Sequence, residues 1–313
     1  KAIIIIATLP NVQAEIEANL LRLQFENILF VSPKLYRNFF QNYIPDFKRQ
    51  HEIQLISNVG NKILFMASDN NRTSGAFLCL VELCDQLQKN GVAVLVILPQ
   101  FGQGAALLED KRIPYTYIAA QDWGYEIAKD HNFVEKCKFF IGMLGNYKGE
   151  KELLSLMKAY AVDLVHCNTT YTYIGALAAK RCGIPFVWHL RECMEDQGYR
   201  IFMPVRGWNL IRQADKVIAV SGYIKSLIPF ANKEFASVVY DTVEIEEQAC
   251  VERDIFQKET IRMIMVGGIT RYKRQEELIE ACAILNRRNM QDFHLIIVGR
   301  GEADYVNKLR HRV

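Results

Sequence analysis

The sequence predicts an α/β chain: two parallel-sheet domains, the second incomplete, preceded by a small βαβ segment. Three observations carry that expectation. Apolar runs of strand length alternate with helix-patterned stretches along nearly the whole chain. The strand runs are apolar at consecutive positions, as in sheets covered on both faces. Polar clusters rich in glycine or charge follow directly on five of the strand ends. A length of 313 residues suits about two domains, and a hydrophobic share of 50% excludes global disorder.

Residues 1–58 read as a segment of their own, with "KAIIIIAT" as a strand, "NVQAEIEANLLRL" as an amphipathic helix and "NILFVSP" as a second strand. A first full domain, 59–240, opens on the strand "KILFMASD". The helix "TSGAFLCLVELCDQLQKNG" sets Phe77, Leu80, Val81, Cys84 and Leu87 on one face and stops at Gly91. "VAVLVILP" and "IPYTYI" are strands, with "GQGAAL" as a loop between them. "KELLSLMKAYAVDLVHCNT" is a helix running into a strand, and "YIGALAAKRCG" and "IPFVWHLRE" repeat that pair. "ADKVIAVS" is a further strand, followed by a short helix at 222–229 in which Ser221 reads as the N-cap. "FASVVYDTVEI" is a crossover into the last domain, 241–313. There "IRMIMVGGI" and "FHLIIVGRG" are strands, each leading into a helix. Two such units make only part of a doubly wound domain, so truncation at Val313 is expected.

The charge balance, 38 Lys and Arg against 35 Asp and Glu, is too even for a nucleic-acid partner, so useful positive charge must be local. Eight cysteines without a CxxC pair read as free thiols in a reducing compartment, and no ligand spacing suggests a metal. No apolar run reaches membrane-spanning length and no signal peptide is visible, which gives a cytoplasmic expectation. "HNFVEKCKFFIGML" and "RIFMPVRGWNLIR" mix cations with large apolar side chains, as interfacial helices do. Peripheral contact with the inner membrane face is therefore an added expectation, against that of helices packed on the domain.

In open parallel sheets ligands bind beyond the carboxyl ends of the strands. The clusters there are "SDNNRTSGA", "CNTTYTY", "HLRE", "VGGITRYKR" and "VGRGE". The fourth gathers Arg271, Tyr272, Lys273 and Arg274 where a helix begins, an end that is already electropositive. Such a cluster makes sense if an anion sits in the gap. Neither nucleotide fingerprint fits: "GQGAAL" has Leu107 at the third small position, and "GGITRYKR" lacks the GK[ST] of a phosphate loop.

In their order and spacing, the segments "SGAFLCLVELCDQLQKNG", "VDLVHCNTTYTYIGALAAKRCGIPFVWHLRE", "ADKVIAVS" and "VGGITRYKRQEELIEA…LIIVGRGE" resemble the retaining glycosyltransferases of family 4. The resemblance covers 62–313 and implies a GT-B fold, two Rossmann-like domains facing a cleft. Residues 59–240 would be the acceptor side and 241–313 the nucleotide-sugar side. Residues 1–58 are similar to small Rossmann-like modules attached to bacterial polysaccharide enzymes. The implied reaction moves a sugar, with retention, from a UDP- or GDP-sugar to a polysaccharide or lipid-linked glycan acceptor. The implied setting is capsule or other cell-surface polysaccharide biosynthesis, with no cofactor and no metal.

The resemblance also implies roles. Lys273 matches the lysine that holds the donor's diphosphate. The family's arginine falls at Gly268, so Arg271 is the expected substitute. His189 would face the donor sugar. Gly267 and Gly268 would line the donor, and Gly299 and Gly301 would pass near its base. Gly75, Arg191 and Glu192 would lie on the acceptor side. The family's two glutamates, separated by seven intervening residues, are expected beyond Val313; Glu244 and Glu252 share that separation by coincidence. The alternative is a non-catalytic nucleotide-sugar-binding or scaffold protein of the same pathway, which Gly268 favours. A nicotinamide-dependent enzyme using residues 102–107 is a third.

Overall fold

The structure, a computed structural model, describes residues 4–6, 28–30, 61–230, 235–242, 260–288 and 292–312. The chain divides into two units, Lys1–Thr242 and Val243–Val313. At the start of the first, β1 (Ile4–Ile6) and β2 (Ile28–Phe30) pair in parallel, Ile4 opposite Ile28. The helix expected between them lies outside the described residues, as do Glu244 and Glu252.

The body of this unit runs β3 (Lys62–Met66), α1 (Gly75–Lys89), β4 (Ala93–Leu98), α2 (Ala105–Asp110), β5 (Tyr115–Tyr117) and β6 (Gly124–Glu126). It continues through α3 (Phe133–Leu144), α4 (Asn146–Tyr160), β7 (Leu164–Cys167), α5 (Ile174–Cys182), β8 (Phe186–Leu190) and β9 (Tyr199–Ile201). It closes with α6 (Pro204–Ile211), β10 (Lys216–Ala219), α7 (Gly222–Ser226) and β11 (Ala236–Val238). Seven strands form one parallel sheet in the order β11-β10-β8-β7-β3-β4-β5. Chain order reverses between β3 and β7, so the loops after these two strands diverge there and open the crevice that such sheets offer to ligands.

The period of two along each strand divides the core. Phe65, Val94, Val96 and Leu98 face α1 and α2 through Phe77, Leu80 and Leu108. Leu64, Met66, Leu95 and Ile97 face the other layer, which includes Leu153, Met157 and Ile174. That layer also holds an aromatic stack: Trp123 lies 4.8 Å from Tyr173 and 5.6 Å from Trp188, nearly coplanar with both. The indoles of Trp123 and Trp188 donate to the carbonyls of Thr170 and Thr169, tying the loop after β7 to the core.

The structure departs from the sequence expectation at three places. "GQGAAL" is a loop only to Gly104, because α2 starts at Ala105. A Cβ on Gly102 would stand 2.0 Å from the Asn70 carbonyl oxygen, so this glycine serves a close backbone approach. The "crossover" at 235–242 contains β11, an edge strand paired with β10. The antiparallel ribbon of β6 and β9 was not foreseen; with three residues a strand it carries too little pattern.

The two candidate interfacial helices differ. In α6, Gly207, Leu210 and Ile211 are buried, and a Cβ on Gly207 would meet Ile201 at 2.4 Å, so it packs on the domain. In α3 no residue is buried, and Phe133, Val134, Phe140, Ile141 and Leu144 are exposed. No helix among the described residues is long and apolar enough to cross a membrane.

The second unit contains β12 (Thr260–Val266), α8 (Gln275–Arg287), β13 (Asp292–Val298) and α9 (Ala303–Arg310). Its strands pair in parallel from Thr260 opposite Asp292 to Val266 opposite Val298. Ile279, Tyr305 and Leu309 of the helices pack with Ile269 and Ile297 on one face. The opposite face presents Ile264, Val266, Ile296 and Val298 to solvent.

Candidate functional site

The first unit concentrates polar side chains at the carboxyl ends of β3, β7 and β8. After β3, Asp69 accepts from the Asn71 amide at 3.0 Å and the Ser74 hydroxyl at 2.9 Å, shaping the turn into α1. Ser74 caps that helix by accepting from the Phe77 amide. After β7, Asn168 donates to the Ala76 carbonyl at 3.1 Å, linking the loop to the start of α1. The same amide's oxygen accepts from Arg191 Nε at 2.9 Å.

Arg191 is the hub. Its side chain is 4% exposed, and it pairs with Asp241 at 2.5 Å and reaches Nδ1 of His189 at 3.3 Å. A guanidinium only donates, so His189 Nδ1 must accept and the ring proton resides on Nε2. Burial, with the Arg191 charge beside it, holds the His189 imidazole down to about 3, so the ring is neutral. Its Nε2–H is buried and has no partner among the described residues. His166 lies next to it, ring centroids 5.4 Å apart, and its Nε2 is also buried and unpartnered. Burial, then His189 and Arg191, keep His166 well below the ordinary imidazole range.

Asn70 Oδ1, at the end of β3, is a third orphan of this kind. Buried polar atoms are nearly always satisfied, so two orphans on the adjacent strands β7 and β8 and a third in the loop after β3 require an explanation, and a ligand supplies one. Beside them Glu192 accepts from the Thr170 amide at 2.6 Å, while burial pushes its carboxyl up to about 7.

These shifts predict an acid-sensitive fold. Between pH 6.5 and the depressed native values, the unfolded chain binds histidine protons that the native chain refuses. Stability from this source is complete above pH 6.5 and falls below it, by at most about 1.4 kcal/mol per pH unit and histidine. Glu192 works in the opposite sense: the native state holds its proton between pH 4.5 and about 7, so its contribution declines as pH rises through that window. Thermal melts of Glu192→Gln should show a higher Tm than wild type at pH 8 and a steeper loss below pH 6.5. Superimposable profiles would contradict this.

In the second unit the basic turn follows β12. Gly267 adopts φ +153°, a conformation that a side chain strains. A 3-10 turn then spans Arg271–Lys273, and Arg274 starts α8 from the left-handed region at φ 59°. Arg274 is committed to Glu277 at 3.1 Å. Arg271 and Lys273 are exposed and have no ion pair among the described residues; Lys273 Nζ stands 5.4 Å from the Tyr272 ring. Beneath them Gln275, 1% exposed, donates to the Gly268 carbonyl at 2.9 Å. Its Oε1, and Oγ1 of Thr270, are buried without partners among the described residues.

The description "Glycosyltransferase Family 4" matches residues 73–230, half of the chain. The chain belongs to glycosyltransferase family 4. The fold is similar to that of Anabaena HepE in complex with UDP and glucose, with TM-score 0.60 and 23% identity over 80% of this chain and 65% of that one. It is also similar to a glycosyltransferase from Rickettsia africae, TM-score 0.55 and 16% identity over 80% and 64%. A third similar structure is the lipopolysaccharide outer core galactosyltransferase WaaB, TM-score 0.52 and 16% identity over 80% and 64%. The family 4 chain thus spans less than two thirds of the length of these structures. It has the α/β architecture of GT-B glycosyltransferases, with its seven-stranded parallel sheet. No curated protein matches the sequence.

The expected site residues fall into four groups. His189, Arg191 and Glu192 cluster after β8, with Arg191 committed to its own chain. Arg271, Lys273, Gly267 and Gly268 share the turn after β12, and a Cβ at Gly268 would meet nothing closer than 4.0 Å. Gly75 has open space at the start of α1. Gly299 and Gly301 answer to packing: added Cβ atoms would stand 1.8 Å from the Gly267 carbonyl oxygen and 2.4 Å from that of Ile269. Asn70 and Asn168 lie inside the polar clusters after β3 and β7, but neither they nor His166 stand out singly in the sequence, because what brings them together is the order of the strands.

Proposed function

We propose that this family 4 chain transfers a sugar, with retention and without a metal, from a UDP- or GDP-sugar to a polysaccharide or lipid-linked glycan. The observation that carries the reading is the coincidence of uncommitted cations and orphaned buried polar atoms at the carboxyl ends of the strands. Breaking the sugar–phosphate bond builds negative charge on the departing diphosphate. Lys273 and Arg271, above the amides that open α8, would stabilise that charge as it develops. Retention places the new bond on the face the diphosphate leaves. The acceptor hydroxyl would attack the anomeric carbon, the bond to the diphosphate oxygen would break, and the acceptor's proton would pass to that oxygen. His189 is too weakly basic to take it at neutral pH and would instead donate from Nε2 to a sugar hydroxyl. Arg191 and Asn168 would hold its tautomer.

HepE is complexed with UDP-glucose, so UDP-sugars are the first donors to test. Incubating the full chain with UDP-glucose and a GDP-sugar, and following nucleoside diphosphate release, should give turnover with one of them. Nucleotide binding without turnover would favour the scaffold reading, for which Gly268 in place of the family's arginine speaks.

The same reading places the chain in the cytoplasm at the inner membrane face, with α3 as the contact. This helix exposes Phe133, Val134, Phe140, Ile141 and Leu144, and the exposed Lys148 and Lys151 follow on the next helix, a combination suited to an anionic lipid surface. The double change Phe140→Asp and Ile141→Asp should cut co-flotation with anionic vesicles by at least about tenfold while leaving the melting curve unchanged. Equal flotation would remove α3 from the role.

A further inference from the structure

Beyond the carboxyl ends of β7, β8 and β10, toward α6 and α7, lies a cavity of about 360 Å³ that the donor chemistry leaves unused. Its volume is within the range of small-ligand pockets, about 300–1,000 Å³. Leu190, Met194, Ile201, Trp208 and Leu227 give it an apolar wall. Glu192, Glu195 and Asp196 supply carboxylates, Thr170 and Tyr223 supply hydroxyls, and among the described residues no Lys, Arg or His lines it. The chain orients the acids itself: Tyr223 donates to Asp196 Oδ2 at 3.0 Å, and the Thr170 amide to Glu192 Oε1 at 2.6 Å. A carboxylate has about four acceptor sites, so both keep capacity for further donors.

We propose that this cavity seats an uncharged sugar residue of the acceptor, an assignment that rests on the transferase reading. A pyranose has an apolar C–H face and a ring of hydroxyl donors. An apolar wall that includes Trp208 matches the first, and a rim of oriented carboxylates matches the second. Among the described lining residues a phosphate or uronate would meet three acids and no cation, so like charge disfavours it. The two units therefore carry opposite electrostatic signs at their polar ends. The basic turn selects an anionic donor, while the acidic cavity refuses that donor and any anionic acceptor sugar.

Calorimetric titration of the full chain at pH 8 with phenyl β-glucoside and with phenyl β-glucuronide tests the proposal, since the two probes share a shape and differ by one charge. The glucoside should bind at least about tenfold more tightly. The double change Glu195→Gln and Asp196→Asn, at exposed positions, should shrink that ratio to about threefold or less. Leu227→Trp, which fills the cavity from an exposed edge, should abolish glucoside binding. Equal or tighter binding of the glucuronide, or glucoside binding indifferent to all three changes, overturns the proposal. UDP titrated into the same samples separates the failures. UDP binding without glucoside binding overturns the cavity and leaves the transferase reading intact. Glucoside binding without UDP binding overturns the acceptor role, and binding of neither overturns both.

Discussion

Lys273→Ala should lower the turnover of donor sugar by two to three orders of magnitude, equivalent to about 3–4 kcal/mol of transition-state stabilisation. The loss should fall mainly on kcat. On the proposed reading the diphosphate would already be solvated and partly held by the amides at the start of α8 in the ground state, and the extra charge would appear as the glycosidic bond breaks. Lys273 is exposed and among the described residues its side chain makes only a ring contact with Tyr272, so its truncation should leave the melting temperature within about one degree of wild type. Arg271→Ala should cost less, about tenfold, because the guanidinium also faces the carboxylate of Glu276, whose acidity it helps to strengthen. A Lys273→Ala enzyme within about threefold of wild type would end the diphosphate assignment.

Arg191→Ala should be the most damaging single change to stability near the site, by about 3 kcal/mol. Removing the guanidinium strands the Asn168 carbonyl, itself 1% exposed, and His189 Nδ1, while Asp241 is open enough to recover water. In a domain of this size that loss lowers Tm by roughly 6–12 °C. A second readout separates positioning from bulk stability. Without the adjacent cation the His189 imidazole becomes easier to protonate, so the acid limb of the activity profile should move to higher pH. Asp241→Asn keeps Arg191 and an acceptor beside it, so it should cost less than Arg191→Ala and leave the limb where it was. An Arg191→Ala protein with wild-type Tm would show that the network is not tight.

How far these features were legible in the sequence follows from the range of the interactions behind them. β3, β4, β7 and β8 are consecutive apolar runs, and burial on both faces is written residue by residue. The cationic turn was legible because Arg271, Lys273 and Arg274 crowd into four positions, although only the structure shows that Arg274 is spent on Glu277. Arg191 was visible in "HLRE", but its ion-pair partner Asp241 stands fifty residues on, a distance no local pattern spans. For the same reason "GQGAAL" read as a loop: what fixes Gly102 and Gly104 is the backbone of Asn70, some thirty residues earlier. His166 sits inside a strand run, where nothing local marks it. Its pairing with His189 arises because β7 and β8 are neighbours in the sheet, which depends on the order of strands rather than on their composition.

The chain's three tryptophans, Trp123, Trp188 and Trp208, all belong to the first unit. Excited at 295 nm, the protein therefore emits from one half only, and the second unit is optically silent. The coplanar indoles of Trp123 and Trp188 are close enough to couple as an exciton pair, giving near-ultraviolet circular dichroism a signature that vanishes when the sheet beneath them opens. Trp208, apart from that pair, borders the acidic cavity, so occupancy there and loss of the core can be followed as separate signals from a protein without an attached dye.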